Sequence, residues 1–401
     1  MMGCFPVLHD SPSYLGRTMP DLFEPLAVGS ITLPNRVLFA PCTRHRANLD
    51  ETATPIMIEY YGQRASAGLI ISEGINPSTL GRGYYHVPAL NNSEQEGSWR
   101  PITSAVSARG GAIFAQLMHA GRLSFPELLD GRAPIGASGV RPDPDFRGYT
   151  VSCPRPKEPY PTPKALDEKD VRLEITRFAD AAARAVAAGF AGVEIHAGNG
   201  YMPIQFLSSN TNCRSDRYGG SIAKRSRFLL EIIDEVAERI GRDKVGVKLS
   251  PGFQFSDVRD DDPVGLYTYV TKCINDRRIA YLHVSDLHPY YGYDVHVEWY
   301  PLLRNIFEGV FIVNGGIGFE QAQQILSDGA ADAVAFGSAF IANPDLPARF
   351  RAGAPLNVPR PELFYTQEAE GYTDYPRMDE LPSSHTAADY RADFADLQPG
   401  T

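Results

Sequence analysis

The stretch "GVEIHAGNGY" (192–201) places His196, Asn199 and Tyr201 where an apolar run ends, with glycines between them. Two hydrogen-bond donors and a phenol that keeps its proton at neutral pH are the parts of an acid–base set. Further polar and glycine positions close other apolar runs: Thr43, Gly74, Gln116, Lys248, Gly315 with Gly316, and Gly337 with Ser338. Glycines without a Cβ let backbone N–H groups approach a phosphate. Lys248 adds a cation, and Gln116 can both donate and accept. A phosphorylated, amide-bearing cofactor fits that set. Taken singly, each feature has a plainer meaning. "NGGIG" reads as a turn, Gln116 as a satisfied polar side chain, and His196 with Asn199 as structural support. Their weight comes from falling on one rim.

The rim follows from the elements. Eight short β-branched runs read as strands: 36–41, 68–74, 112–119, 192–198, 245–251, 281–286, 310–316 and 333–338. Their near-continuous apolarity predicts strands covered on both faces, hence a parallel sheet. Amphipathic helices are predicted between them over 168–189, 222–241 and 320–329, each closing on a glycine. In the first, Leu173, Phe178, Ala181 and Ala185 form the expected apolar face. Alternating β and α units describe a (β/α)8 barrel, with an open doubly wound sheet as the rival. In such a barrel the site is built at the C-terminal ends of the strands, and the last two loops commonly bind phosphate.

The 401 residues exceed the roughly 250 a barrel needs. One domain over 1–378 is expected, with an N-terminal extension (1–34), a Pro-rich insertion (121–165) and a polar tail (379–401). A composition 43% hydrophobic and 21% charged gives a large core and excludes a disordered chain. The net charge of -10 argues against nucleic acid, which needs a basic face. Five scattered cysteines without a CxxC motif suit a reduced, cytoplasmic protein. No run has the length of a membrane span, and the first residues lack a signal-peptide pattern. His283, His288 and His296 match no metal-ligand spacing, so no metal is expected.

Over roughly residues 21 to 378 the chain resembles the old yellow enzyme family of FMN-dependent ene-reductases. The resemblance rests on "LFEPLAVGSITLPNRVLFAPCTRHRA", "FAQLMHAGR", "EIHAGNGYMPIQFLSSNTNCRSDRYGGSIAKRSRFLLEIIDEV", "VGVKLSP", "NGGIG", "FGSAFIANPDLPARF" and "AEGYTDYP". The stretch from Glu194 to Val236 is the most specific. The family implies a (β/α)8 barrel holding FMN, which NAD(P)H reduces and which then passes hydride to an activated C=C bond. It implies that His196 and Asn199 bind the carbonyl oxygen of an enone or enal. Negative charge gathers there, and each preorganised donor is worth roughly 2.7–4 kcal/mol. Tyr201 would protonate the α-carbon. Pro41, Cys42, Thr43, Gly74, Gln116 and Lys248 would contact the flavin ring. Gly315, Gly316, Gly337 and Ser338 would hold the phosphate, and Tyr84, Met118 and Tyr365 would line the substrate pocket. A monomer or homodimer is expected.

Three positions depart from the family pattern. Lys248 replaces an arginine, giving a point charge in place of a planar fork. Met118 stands where many relatives have tryptophan, which enlarges or softens the pocket and points to a bulky substrate, as in a biosynthetic pathway. Ser338 replaces the arginine that grips the phosphate, with Arg349 or Arg351 as possible substitutes. The same residues are compatible with an isomerase, a flavin-independent enzyme, or a silent barrel that binds a small molecule.

Overall fold

Eight strands close into one barrel: β1 (Val37–Phe39), β2 (Ile70–Ile75), β3 (Ile113–Leu117), β4 (Gly192–Ala197), β5 (Val245–Leu249), β6 (Tyr281–Ser285), β7 (Val310–Asn314) and β8 (Ala333–Phe336). Every neighbouring pair is parallel, and β8 returns to β1. Closure removes the open-sheet alternative. This computed structural model describes residues 21–148, 158–252, 256–286 and 297–380.

Along each strand alternate residues enter two different clusters. Val37, Ile70, Ile113, Leu282, Phe311 and Val334 pack outward against helices. Leu38, Ile71, Phe114, Tyr281, Ile312 and Ala335 fill the barrel. Both faces are thus dry, which is why the strands read as unbroken apolar runs. Two glycines make room inside. A Cβ on Gly192 would lie 2.5 Å from the Phe114 ring, and one on Gly246 2.1 Å from the Tyr281 ring.

Helices α1 (Pro55–Gln63), α2 (Ser93–Ser107), α3 (Glu168–Ala187), α4 (Arg227–Ile240), α5 (Pro263–Arg277), α6 (Trp299–Arg304), α7 (Phe319–Ser327) and α8 (Leu346–Ala352) surround the strands. Asp167 caps α3, its carboxylate accepting the Asp170 N–H at 2.7 Å. One expectation fails on this helix: Leu173 is 45% exposed. The buried stripe runs through Val171, Ile175, Phe178 and Ala182. Leu173 follows Val171 by two residues, which puts it on the opposite side of a 3.6-residue turn.

The extensions are built onto the barrel. An antiparallel pair, Leu26–Val28 with Ile31–Leu33, sends Val28 and Leu33 into the interior cluster. In the insertion, Ile135–Gly136 pairs with Lys164–Ala165, and Arg147–Gly148 with Glu158–Pro159. Its Leu123, Phe125, Leu128, Leu129 and Tyr160 form a small apolar cluster against which Tyr201 packs. Arg44 and Arg46 tie the segment after residue 360 to the loop after β1, donating to the carbonyls of Phe364 and Gly371 among others.

Candidate active site

The inward phase that carries Phe114, Gly192, Gly246 and Tyr281 continues two residues later to Gln116, Glu194, Lys248 and His283. Strand register puts Glu194 beside Gln116, and Lys248 beside both His196 and His283. All five are buried. Gln116 Nε2 donates to Glu194 Oε1 at 2.8 Å, and His283 Nδ1 lies 2.9 Å from Glu194 Oε2. Burial pushes the Glu194 carboxyl up, but His283, Lys248 and Gln116 outweigh it and hold it below the usual carboxylate range. Burial lowers His283 despite that carboxylate, so a neutral imidazole donates to an anion. Burial also lowers Lys248, against the pull of Glu194 and Cys42.

Two residues beyond Glu194, beside Lys248, the "HAGNG" turn begins. His196 is buried, and its Nδ1 has no protein partner. Burial first, then Lys248 and His283, push its pKa well below the ordinary value. The imidazole is therefore neutral at pH 7 and keeps one N–H to give. The glycines beside Asn199 have steric causes. A Cβ on Gly198 would sit 2.6 Å from Ser250 Oγ, and one on Gly200 2.3 Å from Ser256 Cβ. Asn199 itself has φ of 54°, a left-handed conformation that asparagine tolerates better than most residues. Its N–H donates to Ser250 Oγ at 2.7 Å.

Tyr201 starts the short helix Met202–Leu207, its ring 4.9 Å from that of His196. Burial, with Tyr84 and its hydroxyl contact next, raises the Tyr201 phenol well above its usual range. Tyr84 Oη stands 3.2 Å from Tyr201 Oη. The structure thus brings His196, Asn199, Tyr201 and Tyr84 to one place on the rim.

Pro41, Cys42 and Thr43 follow β1, half-buried. Burial raises the Cys42 thiol, so it is protonated at neutral pH. Its sulfur is 3.5 Å from the Cβ position of Gly337, which joins the loops after β1 and β8. Met118 fills the space beside Gly74, its sulfur 2.5 Å from the Cβ position there. Gly315 is obligatory, since a Cβ would meet the Asp286 carbonyl at 1.9 Å, and Gly316 has φ of 68°. Ser338 opens the short helix Ser338–Ala342. Tyr365 is farther out and half exposed, packed edge-on against His45 at 5.5 Å.

The two arginines expected as substitutes for the missing phosphate cation have other neighbours in the structure. Arg349 is fully buried in α8, giving Nε to Asp345, Nη1 to the Pro355 carbonyl and Nη2 to the Pro376 carbonyl. The Arg351 guanidinium lies 4.6 Å over the Phe23 ring. His288 and His296 lie outside the described residues. Among the described residues no three potential metal ligands gather, and His283 is engaged by Glu194.

Sequence reading missed Glu194 and His45, and weighed His283 only as a metal ligand. Period two was the available signal for Glu194, which shares the face of His196. His45 had none: its left-handed φ of 55° and its place between Tyr84 and Tyr365 arise from tertiary contacts.

The NADH:flavin oxidoreductase / NADH oxidase family matches residues 21–357. This chain belongs to that family. As a member it is an FMN-dependent oxidoreductase that draws its electrons from NAD(P)H. A protein of Leishmania infantum named "Probable flavin mononucleotide-dependent alkene reductase" is 39% identical, the match covering 91% of this chain and 100% of that one. The old yellow enzyme homologue of Zymomonas mobilis superposes with a TM-score of 0.85 at 39% identity, covering 89% of this chain and 99% of its own. Morphinone reductase gives 0.85 at 42% identity, covering 90% and 97%. The resemblance to old yellow enzyme and the barrel expectation therefore hold. No described helix is long and apolar enough to cross a membrane.

The residues present fit FMN as the family's cofactor. Glu194 takes the Gln116 Nε2, which leaves the Gln116 carbonyl oxygen as an acceptor for an N–H. The orphaned His196 Nδ1 and the buried Lys248 are further polar groups in the same barrel mouth.

Proposed function

We propose that this chain is an ene-reductase acting on the C=C bond of an α,β-unsaturated carbonyl compound, an enone or enal. Pro41, Cys42, Thr43, Gly74, Gln116 and Lys248 would hold the ring of FMN, and Gly315, Gly316, Gly337 and Ser338 its phosphate. When bound and reduced by NAD(P)H, FMN supplies a hydride to the β-carbon. Everything else is the work of this chain's side chains. His196 and Asn199 bind the carbonyl oxygen and stabilise the charge that develops there. Tyr201 gives its proton to the α-carbon.

The observation that carries this reading is the His196–Tyr201 pair. A neutral imidazole with an unpartnered ring nitrogen stands 4.9 Å from a phenol that burial keeps protonated. That arrangement supplies a donor to an oxygen and a proton to a nearby carbon without adding full positive charge. Met118, not tryptophan, beside Gly74 supports a bulky substrate, of the kind a biosynthetic pathway supplies.

Rapid mixing of the FMN-loaded protein tests the reading in two halves. NADPH and NADH should each be tried for flavin bleaching, and 2-cyclohexenone for return of the colour. Tyr201→Phe should leave bleaching nearly unchanged and slow the return by roughly 10²–10⁴, as for a lost general acid. If the return is as fast as in the wild type, Tyr201 is not the proton donor.

A further inference from the structure

Tyr84 entered the sequence reading as a pocket wall. Its hydroxyl has a more specific position, 3.2 Å from that of Tyr201. Two phenols own two protons, and one contact between them uses only one. If Tyr84 donates, the Tyr201 proton is left free to face the substrate. The negative charge left on the Tyr201 oxygen then already has a donor pointing at it.

The surroundings favour this use of the pair. Leu123, Phe125, Leu128, Leu129 and Tyr160 press an apolar wall against Tyr201, so water is excluded on the side of the insertion. Tyr84 is half-buried as a residue. Its ring is held in place by His45, edge-on at 5.7 Å. His45 is itself fixed: its Nδ1 is 2.7 Å from the Tyr85 carbonyl, which can only accept. Burial also keeps Tyr84 protonated at neutral pH.

We propose that Tyr84 is the proton partner of Tyr201, stabilising its phenolate as it forms and then reprotonating it. The proposal rests on the reading of Tyr201 as proton donor. The step balances as follows. The Tyr201 O–H bond breaks as the electron pair of the substrate enolate forms a C–H bond. The Tyr84 O–H bond breaks as the Tyr201 O–H bond reforms, and a solvent proton restores Tyr84. Each turnover consumes one hydride and one solvent proton. Tyr84 is a positioning and proton-supplying residue that acts through Tyr201.

The test is the re-oxidation of reduced, FMN-loaded protein by 2-cyclohexenone in Tyr84→Phe, Tyr201→Phe and the double variant. Phenylalanine keeps the ring, so a wall would not notice the change. Tyr84→Phe should slow re-oxidation about 10- to 100-fold, the worth of one hydrogen bond to a charged group. Flavin reduction and FMN affinity should stay the same. The rate measured across H2O–D2O mixtures should change from a curved dependence, with the transferred proton and the proton of the tightening Tyr84–Tyr201 hydrogen bond both contributing to one step, to a linear one. In the Tyr201→Phe background, Tyr84→Phe should add nothing. If Tyr201→Phe is slow but Tyr84→Phe reacts at the wild-type rate with the curvature intact, the relay is overturned and the proton donor stands. Equal losses from Tyr84→Phe in both backgrounds also overturn it, because Tyr84 then acts without Tyr201. A Tyr201→Phe variant as fast as wild type removes the donor assignment and the relay together.

Discussion

Glu194 reaches His283 past an intervening strand, and the residue opposite it on that strand is Gly246. The missing side chain at Gly246 leaves the space that the Tyr281 ring occupies beside the pair. One buried carboxylate thereby orients Gln116 on one side and His283 on the other, and balances Lys248.

Glu194→Gln keeps the volume but removes that charge. It should destabilise the fold by about 3 kcal/mol, because Lys248 and His283 lose their shared buried partner. Urea denaturation measures this. It should also weaken FMN binding by apo-protein, since the Gln116 amide is no longer held in one orientation. Wild-type stability and affinity together would show that the Glu194 charge is dispensable.

Replacing His196 and Asn199 together by alanine should remove the ligands of the carbonyl oxygen. Phenols imitate an enolate and give a long-wavelength band with oxidised flavin in the family this chain belongs to. The double variant should lose that band while still binding FMN. A phenol titration with an unchanged band would place both side chains outside the oxygen site.

Ser338→Arg restores the guanidinium that the family pattern places near the phosphate. Arg349 is engaged by Asp345 and by the carbonyls of Pro355 and Pro376, while Arg351 lies over Phe23. A charged hydrogen bond is worth about 1.5–3 kcal/mol, so FMN should bind roughly 10- to 100-fold more tightly. Titration of apo-protein with FMN decides the matter, and equal dissociation constants for the two proteins would contradict it.

His45 makes acid stability testable. Burial lowers its pKa to about 4, from 6.5. The unfolded chain therefore binds the proton more readily, and this contribution to stability is lost as pH falls from about 6.5 towards 4. His45→Asn removes the titrating ring and tolerates the left-handed backbone. Between pH 7 and pH 4 the variant should lose less stability than the wild type, by up to about 3 kcal/mol. Parallel urea curves at the two pH values would locate the acid sensitivity elsewhere.

How much of the site was legible in the sequence differs residue by residue. His196, Asn199 and Tyr201 announce themselves because they share one turn, and Lys248 and Gln116 because a strand end is a chemical address in a barrel. Tyr84 was read as a wall, since its contact with Tyr201 spans 117 positions of the chain. The buried stripe of α3 was misread by one element of phase at Leu173, where an apolar residue faces solvent.

The sequence by itself determined the eight strands and the family. Dry strand faces, helix caps and glycine stops are local, and local patterns survive in one dimension. Tertiary structure decided which polar groups meet. Barrel closure and strand register bring Gln116, Glu194, Lys248 and His283 into one layer, though 167 residues separate the first from the last. It also sent Arg349 to the carbonyls of Pro355 and Pro376 and left Ser338 without its help. Hydrogen-bond partners are chosen by distance and direction in space, and neither is written in the spacing of residues along a chain.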